Sequence, residues 1–139
     1  MVARSEIYWA DLGPPAGRRP VCVLTRDAAV GVLTTVTCAP ISRTIRGIRS
    51  EVEVGPEEGL PVVSAISCDN LLTIAQAALD PTSVGRLDEV KRAEVDRALR
   101  YALDIRYLAI GGGKRKRSSE SSVSSSVPRM FRVDSPAAR

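Results

Sequence analysis

The chain has no histidine among its 139 residues. That removes the commonest general acid–base side chain and the commonest metal ligand. Cysteine is scarce and odd in number: Cys22, Cys38 and Cys68 each sit in an apolar stretch, and none forms a C-x-x-C pair. An odd count argues against a disulfide framework, so buried thiols in a reducing compartment are expected. No apolar run approaches the roughly 18 residues of a membrane helix, and the N-terminus has no secretory apolar core. The expectation is a soluble, cytoplasmic protein with no membrane partner.

What charge there is falls unevenly. Of 20 basic and 16 acidic residues, seven basic and two acidic ones lie in residues 111–139, so that segment carries +5 and residues 1–110 carry −1. The pI near 9.3 therefore belongs to the tail. The tail also has seven serines between positions 118 and 126 and few apolar residues, which predicts a disordered, basic, serine-rich segment. Its KRKR run can hold nucleic acid electrostatically; a solvated extension without function is the plainer reading. Residues 1–110 read as one globular domain. Within it, Arg18–Arg19 and Arg43–Arg46–Arg49 concentrate positive charge, so a near-neutral body can still carry a positive groove.

The domain organises around Gly17–Asp27, GRRPVCVLTRD. Val21 to Leu24 has no polar break, which predicts a strand covered on both faces. Pro20 has no ladder donor and belongs at that strand's first residue. Arg18 and Arg19 are thereby delivered at a sheet rim. A second apolar run spans Val32 to Ile41. If the two runs form an antiparallel hairpin turning near Ala28–Gly31, paired residue numbers sum to about 60 or 61. That register sets Arg19 beside Ser42. A guanidinium fork next to a hydroxyl suits an anionic, phosphate-like ligand.

Elsewhere, Glu6–Leu12 reads as a first strand, with Trp9 in the core or an interface rather than a stacking platform. Ser42–Ser50 is polar and basic and reads as a loop, although Arg43, Arg46 and Arg49 are also spaced for the face of one helical turn. Glu51–Val54 alternates, which predicts a strand with Glu51 and Glu53 on an exposed face. Pro61–Cys68 is a further strand, Leu71–Leu79 a short helix, and Thr82–Leu87 a short strand. Asp88 reads as the N-cap of an amphipathic helix of about 17 residues ending near Ile105, with Val95, Ala98, Leu99, Ala102 and Leu103 on its apolar face. The fold class is α+β and mainly β: a small, twisted antiparallel sheet or partial barrel with a C-terminal helix.

In order, EIYWADLGP at 6–14, GRRPVCVLTRD at 17–27, VTCAPIS at 36–42 and VGRLDEVKRAEVDRALRYALDI at 84–105 resemble the MazF/PemK toxin family. Its members are bacterial endoribonucleases of toxin–antitoxin pairs that cut single-stranded RNA. The resemblance spans about residues 5–106 and implies an SH3-like, MazF/CcdB-type half-barrel. It implies a catalytic pair, the arginine of the R-P-V motif and a hydroxyl after the P-I pair, here Arg19 and Ser42. The family usually has threonine at the second position. Arg18, Arg43, Thr44 and Arg46 would track flanking phosphates. Asp69, at a strand end, is a further RNA-facing candidate or an Asx turn. The loop between the first two strands is only Gly13–Gly17 and lacks the acidic contact that longer members place there.

The resemblance further implies a homodimer with its RNA groove along the interface, and a cognate antitoxin whose acidic–apolar segment enters the same groove. No cofactor and no metal are expected. Two other classes stay open. A CcdB-like gyrase poison has this fold without the arginine–hydroxyl pair, and uses aromatic and apolar residues at the helix end, here Ile105-Arg106-Tyr107-Leu108. An inactive interaction module is the third. Deleting residues 111–139 should leave the melting temperature nearly unchanged and weaken RNA binding more at low salt than at high. Calorimetry and a salt titration check both.

Overall fold

The computed structural model describes residues 1–106; the tail expected at 111–139 lies outside them. The described elements run β1 (Glu6–Asp11), β2 (Arg18–Val23), a one-turn helix α1 (Asp27–Val30), β3 (Thr35–Ser42), β4 (Glu51–Val54), β5 (Ser64–Ser67), β6 (Leu72–Ala75), β7 (Gly85–Arg86) and α2 (Glu89–Leu103). All strand pairs are antiparallel, in the order β4-β5-β3-β2-β1-β7, with β6 also on β3. This is the curled half-barrel with a C-terminal helix expected from the pattern.

The β2–β3 register is Val21–Pro40, Cys22–Ala39 and Val23–Cys38, each pair summing to 61 as expected. β2 is covered on both faces. Cys22 and Leu24 enter one apolar core with Ile7, Ile41, Ile66 and Val95. Val21 and Val23 enter a second with Tyr8, Ala10, Val36 and Leu79. All three cysteines are free and buried, and burial pushes the Cys22 thiol up to about 12.

Several expectations are corrected. β2 begins at Arg18, two residues before Pro20, because Asp11 and Ala10 of β1 pair with Arg18 and Arg19. Pro20 does open the β3 side, where pairing starts at Val21. The β2–β3 connection is α1, and β3 starts at Thr35 rather than Val32. Val32 and Leu33 both donate to the Ala29 carbonyl and stay in the turn, leaving Val32 81% exposed. The helix expected over Leu71–Leu79 is β6 followed by a 3-10 turn at Gln76–Ala78. Nine residues are too few to sustain an isolated helix, and the free edge of β3 at Thr35–Cys38 takes their backbone groups instead. Arg43–Arg49 forms no helical turn. Glu53 is exposed, but the Glu51 side chain is only 6% exposed.

α2 is capped as expected, the Asp88 carboxylate accepting from the Lys91 N–H at 2.8 Å. It ends at Leu103, and the C-cap Asp104 lies in the left-handed region at φ 56°. Val95 and Ala98 are buried and Leu99 and Ala102 pack beside them. Leu103 shares their spacing but is 52% exposed, because the last turn runs beyond the core. The Pro56–Glu58 turn abuts β7 backbone to backbone. A Cβ on Gly85 would lie 2.1 Å from the Glu58 carbonyl oxygen. A main-chain atom cannot rotate away, so Gly85→Ala should cost about 1–3 kcal/mol. A lower urea midpoint at unchanged slope would show it.

Candidate functional site

The rim where β1, β2 and β3 end is built by pairing that stops unevenly. β2 continues beside β1 as far as Arg18, but its ladder with β3 stops at Val21. Arg19 is therefore fixed by its Ala10 partner on one side and open on the other. Ser42 is the last residue of β3 and is held by Ala65 of β5. Between them lies the mouth of two clefts. The first, about 370 Å³, is lined by Trp9, Arg18, Arg19, Pro20, Ser42, Arg43, Thr44 and the Leu60–Val62 segment. The second, about 290 Å³, is lined by Arg19, Ser42, Thr44, Arg46, Glu51, Ser67 and Asn70 among others. Ala16, Arg19, Ser42 and Thr44 belong to both.

The structure thus places both members of the expected pair, and four of the five residues expected around them, on two adjoining clefts. Their partners differ. Arg19 is exposed, and its Nε donates to the Ala16 carbonyl at 3.2 Å, which orients the guanidinium. Ser42 is half-buried, and its Oγ accepts from the Thr44 N–H at 3.0 Å. That contact uses the oxygen and leaves the hydroxyl proton to be donated. Arg18 makes two bonds to Asp80, at 2.9 and 2.5 Å, and lies 5.5 Å over the Trp9 ring. Arg46 pairs with Glu51 at 3.6 Å. Among the described residues, Arg19 and Arg43 have no acidic partner, so their charge is the part left for an anion.

Asp69 lines neither cleft. Its Oδ2 accepts from the Ser50 hydroxyl at 2.5 Å, which ties the turn after β5 to the start of β4. Three cleft residues had no signal strong enough to mark them. Trp9 is half-buried rather than core, and walls the first cleft. Asn70 and Glu51 reach the second only because β5 and β4 follow β3 in the sheet. Among the described residues, no group of three His, Cys, Asp or Glu is arranged to hold a metal ion, and no helix is long and apolar enough to cross a membrane.

A profile of the PemK-like, MazF-like toxins of type II toxin–antitoxin systems matches residues 3–103. The chain belongs to this family. It is 38% identical over 103 residues to the probable endoribonuclease MazF5 of Mycobacterium tuberculosis, covering 73% of this chain and 93% of that protein. Endoribonuclease MazF3 of the same species is 39% identical over 87 residues, covering 63% and 84%. The solved Mycobacterium tuberculosis toxin MazF-mt6 aligns with a TM-score of 0.68 at 36% identity, over 73% of this chain and 99% of that one. A mycobacterial endoribonuclease solved with its cognate antitoxin shares the fold, with a TM-score of 0.69 at 23% identity over 78% and 100%.

The Arg18 hydrogen bonds hold the Asp80 carboxyl below its usual range. A carboxyl lowered on folding adds stability above its unfolded pKa, about 4, and loses it as pH falls through the folded value. Asp80→Asn should therefore melt slightly below wild type at neutral pH, and the gap should close in acid. Melting curves at several pH values between neutral and strongly acidic check the sign.

Proposed function

We propose that this member of the PemK/MazF-like toxin family is an endoribonuclease that cuts single-stranded RNA in the cytoplasm without a metal ion. The observation that carries the reading is that Arg19 and Ser42, on different strands, open onto the same two clefts. The identity to the endoribonucleases named above supports it. RNA supplies its own nucleophile. The 2′-oxygen bonds to the adjacent phosphorus as the bond to the 5′-oxygen breaks. The 2′-OH proton leaves to solvent and the 5′-oxygen takes one up, giving a 2′,3′-cyclic phosphate and a 5′-hydroxyl.

Arg19 presents its fork to the phosphoryl oxygens as charge builds there. Arginine holds its proton too tightly in proteins to serve well as an acid, so charge stabilisation is its role. Ser42 donates its free proton to the scissile phosphate or to the 2′-oxygen. Arg43, Thr44 and Arg46 hold flanking phosphates, and Arg18 steadies Trp9 at the edge of the first cleft. The protein works as a homodimer, and a cognate antitoxin lays an acidic–apolar segment along the same groove, matched to its uncompensated arginines.

A single 2′-deoxy substitution on the 5′ side of the cut tests the mechanism. Cleavage should stop while binding persists, since phosphates carry most of the affinity. Cleavage of the substituted strand would mean that water is the nucleophile. In parallel, Arg19→Ala should keep its circular dichroism spectrum and lose cleavage, removal of one such donor costing about 2.7–4 kcal/mol in the barrier. Intact RNA with gyrase inhibited would instead assign the chain to the gyrase poisons.

A further inference from the structure

Glu51 is the one carboxylate lining either of the two clefts among the described residues. In a site for polyanions, its charge opposes the ligand at close range. Its surroundings give it another purpose. The side chain is only 6% exposed, at the first residue of β4. Oε1 accepts from the Arg46 N–H at 2.9 Å and from the Gly47 N–H at 3.3 Å. Oε2 lies 3.6 Å from the Arg46 guanidinium, whose side chain remains 63% exposed. Gly47 has φ +70°, a backbone that glycine adopts without strain. The Glu51 N–H itself donates to the Ile48 carbonyl at 3.0 Å.

The basic loop from Arg43 to Arg49 is thus fastened at both ends. At its start, the Ser42 hydroxyl oxygen takes the Thr44 N–H. At its far side, one buried carboxylate takes two successive N–H groups and the Arg46 side chain. No regular element holds the residues between. We infer that Glu51 is a positioning residue: it folds the loop onto β4 and points Arg46 into the cleft, so that a phosphate of the RNA meets a placed guanidinium. The inference rests on the ribonuclease reading above. An RNA phosphate competes with Glu51 for Arg46, while the two N–H bonds keep the loop in place. Oε1 is taken by the two N–H groups and Oε2 faces the Arg46 guanidinium, so the role assigned to Glu51 is to hold the loop.

The test compares Glu51→Ala, Glu51→Gln, Arg46→Ala and the Glu51→Ala/Arg46→Ala pair, on a single-stranded RNA and on its uncleavable 2′-deoxy counterpart. Glu51→Ala should lower kcat/KM by about tenfold or more, mostly through KM, and the double variant should be little worse than either single one. The slope of log affinity against log salt should fall by about 0.7 in Arg46→Ala, which removes the cation, and in Glu51→Ala, where the unfastened loop no longer holds Arg46 at the phosphate. Glu51→Gln keeps an oxygen acceptor for the two N–H groups, so kcat should stay within about threefold of wild type.

Four outcomes overturn the inference. Tighter RNA binding by Glu51→Ala at unchanged kcat/KM would make the carboxylate merely repulsive. Full additivity with Arg46→Ala would separate the two residues. A salt slope that stays at the wild-type value would make any loss a matter of general stability. A large kcat loss in Glu51→Gln, with the acid limb of the pH profile gone, would make Glu51 the base. If Glu51→Ala does not fold, Glu51→Gln and Arg46→Ala decide by the same kcat, KM and slope criteria. If wild type cuts no RNA, the ribonuclease reading falls, and the salt slopes on the uncleaved strand still test the loop.

Discussion

β3 is held by three strands along its two edges. β2 takes one edge, while on the other β6 pairs Thr35–Cys38 and β5 pairs Ile41–Ser42. Pro40 has no N–H to donate, and it stands between the last β6 pair and the first β5 pair, where that donor is least needed. A strand that changes neighbour along its length cannot belong to one flat ladder, so the sheet divides and curls at this point. The division leaves β3 ending at Ser42 beside a β2 that has already left it. Arg19 and Ser42 each keep a paired backbone on one side and an open rim on the other. Rigid backbone with an unobstructed side chain is what a preorganised site requires.

The charges around that rim serve placement more than stability. Exposed ion pairs contribute little to folding, and Arg18–Asp80 is one of these. Its effect is to hold a guanidinium against Trp9 at the edge of the first cleft. Arg46–Glu51 joins an exposed arginine to a covered carboxylate, so the loop has an anchor although it lacks secondary structure. Arg19 and Arg43 keep their full charge among the described residues. Two partnered and two unpartnered guanidinium groups give the clefts a fixed frame and, on the proposed reading, the charge that meets a phosphate.

Much of this is legible in the residue order. The β2–β3 register follows from two apolar runs and the length of chain between them. The helix follows from Asp88 and a 3.6-residue period. The Leu71–Leu79 segment misleads because a short apolar stretch has no period of its own, and a free edge on β3 decides it. Val32, Leu33 and Leu103 mislead for a related reason. Hydrophobicity shows that a residue can be buried, whereas only the neighbouring elements determine whether anything covers it.

The sequence by itself determined that Arg19 and Ser42 come to one rim, because antiparallel pairing is arithmetic: β2–β3 partners sum to 61, and the ladder that stops at Val21–Pro40 leaves both residues just beyond its end. It could not determine the company they keep. Trp9 arrives from β1, Glu51 from β4, Asn70 from the turn after β5 and Asp80 from beyond β6. Those positions depend on which edge each strand chose and on where β3 passes from β6 to β5. Edge choice is set by the summed burial of both apolar cores, a quantity that no short stretch of sequence carries.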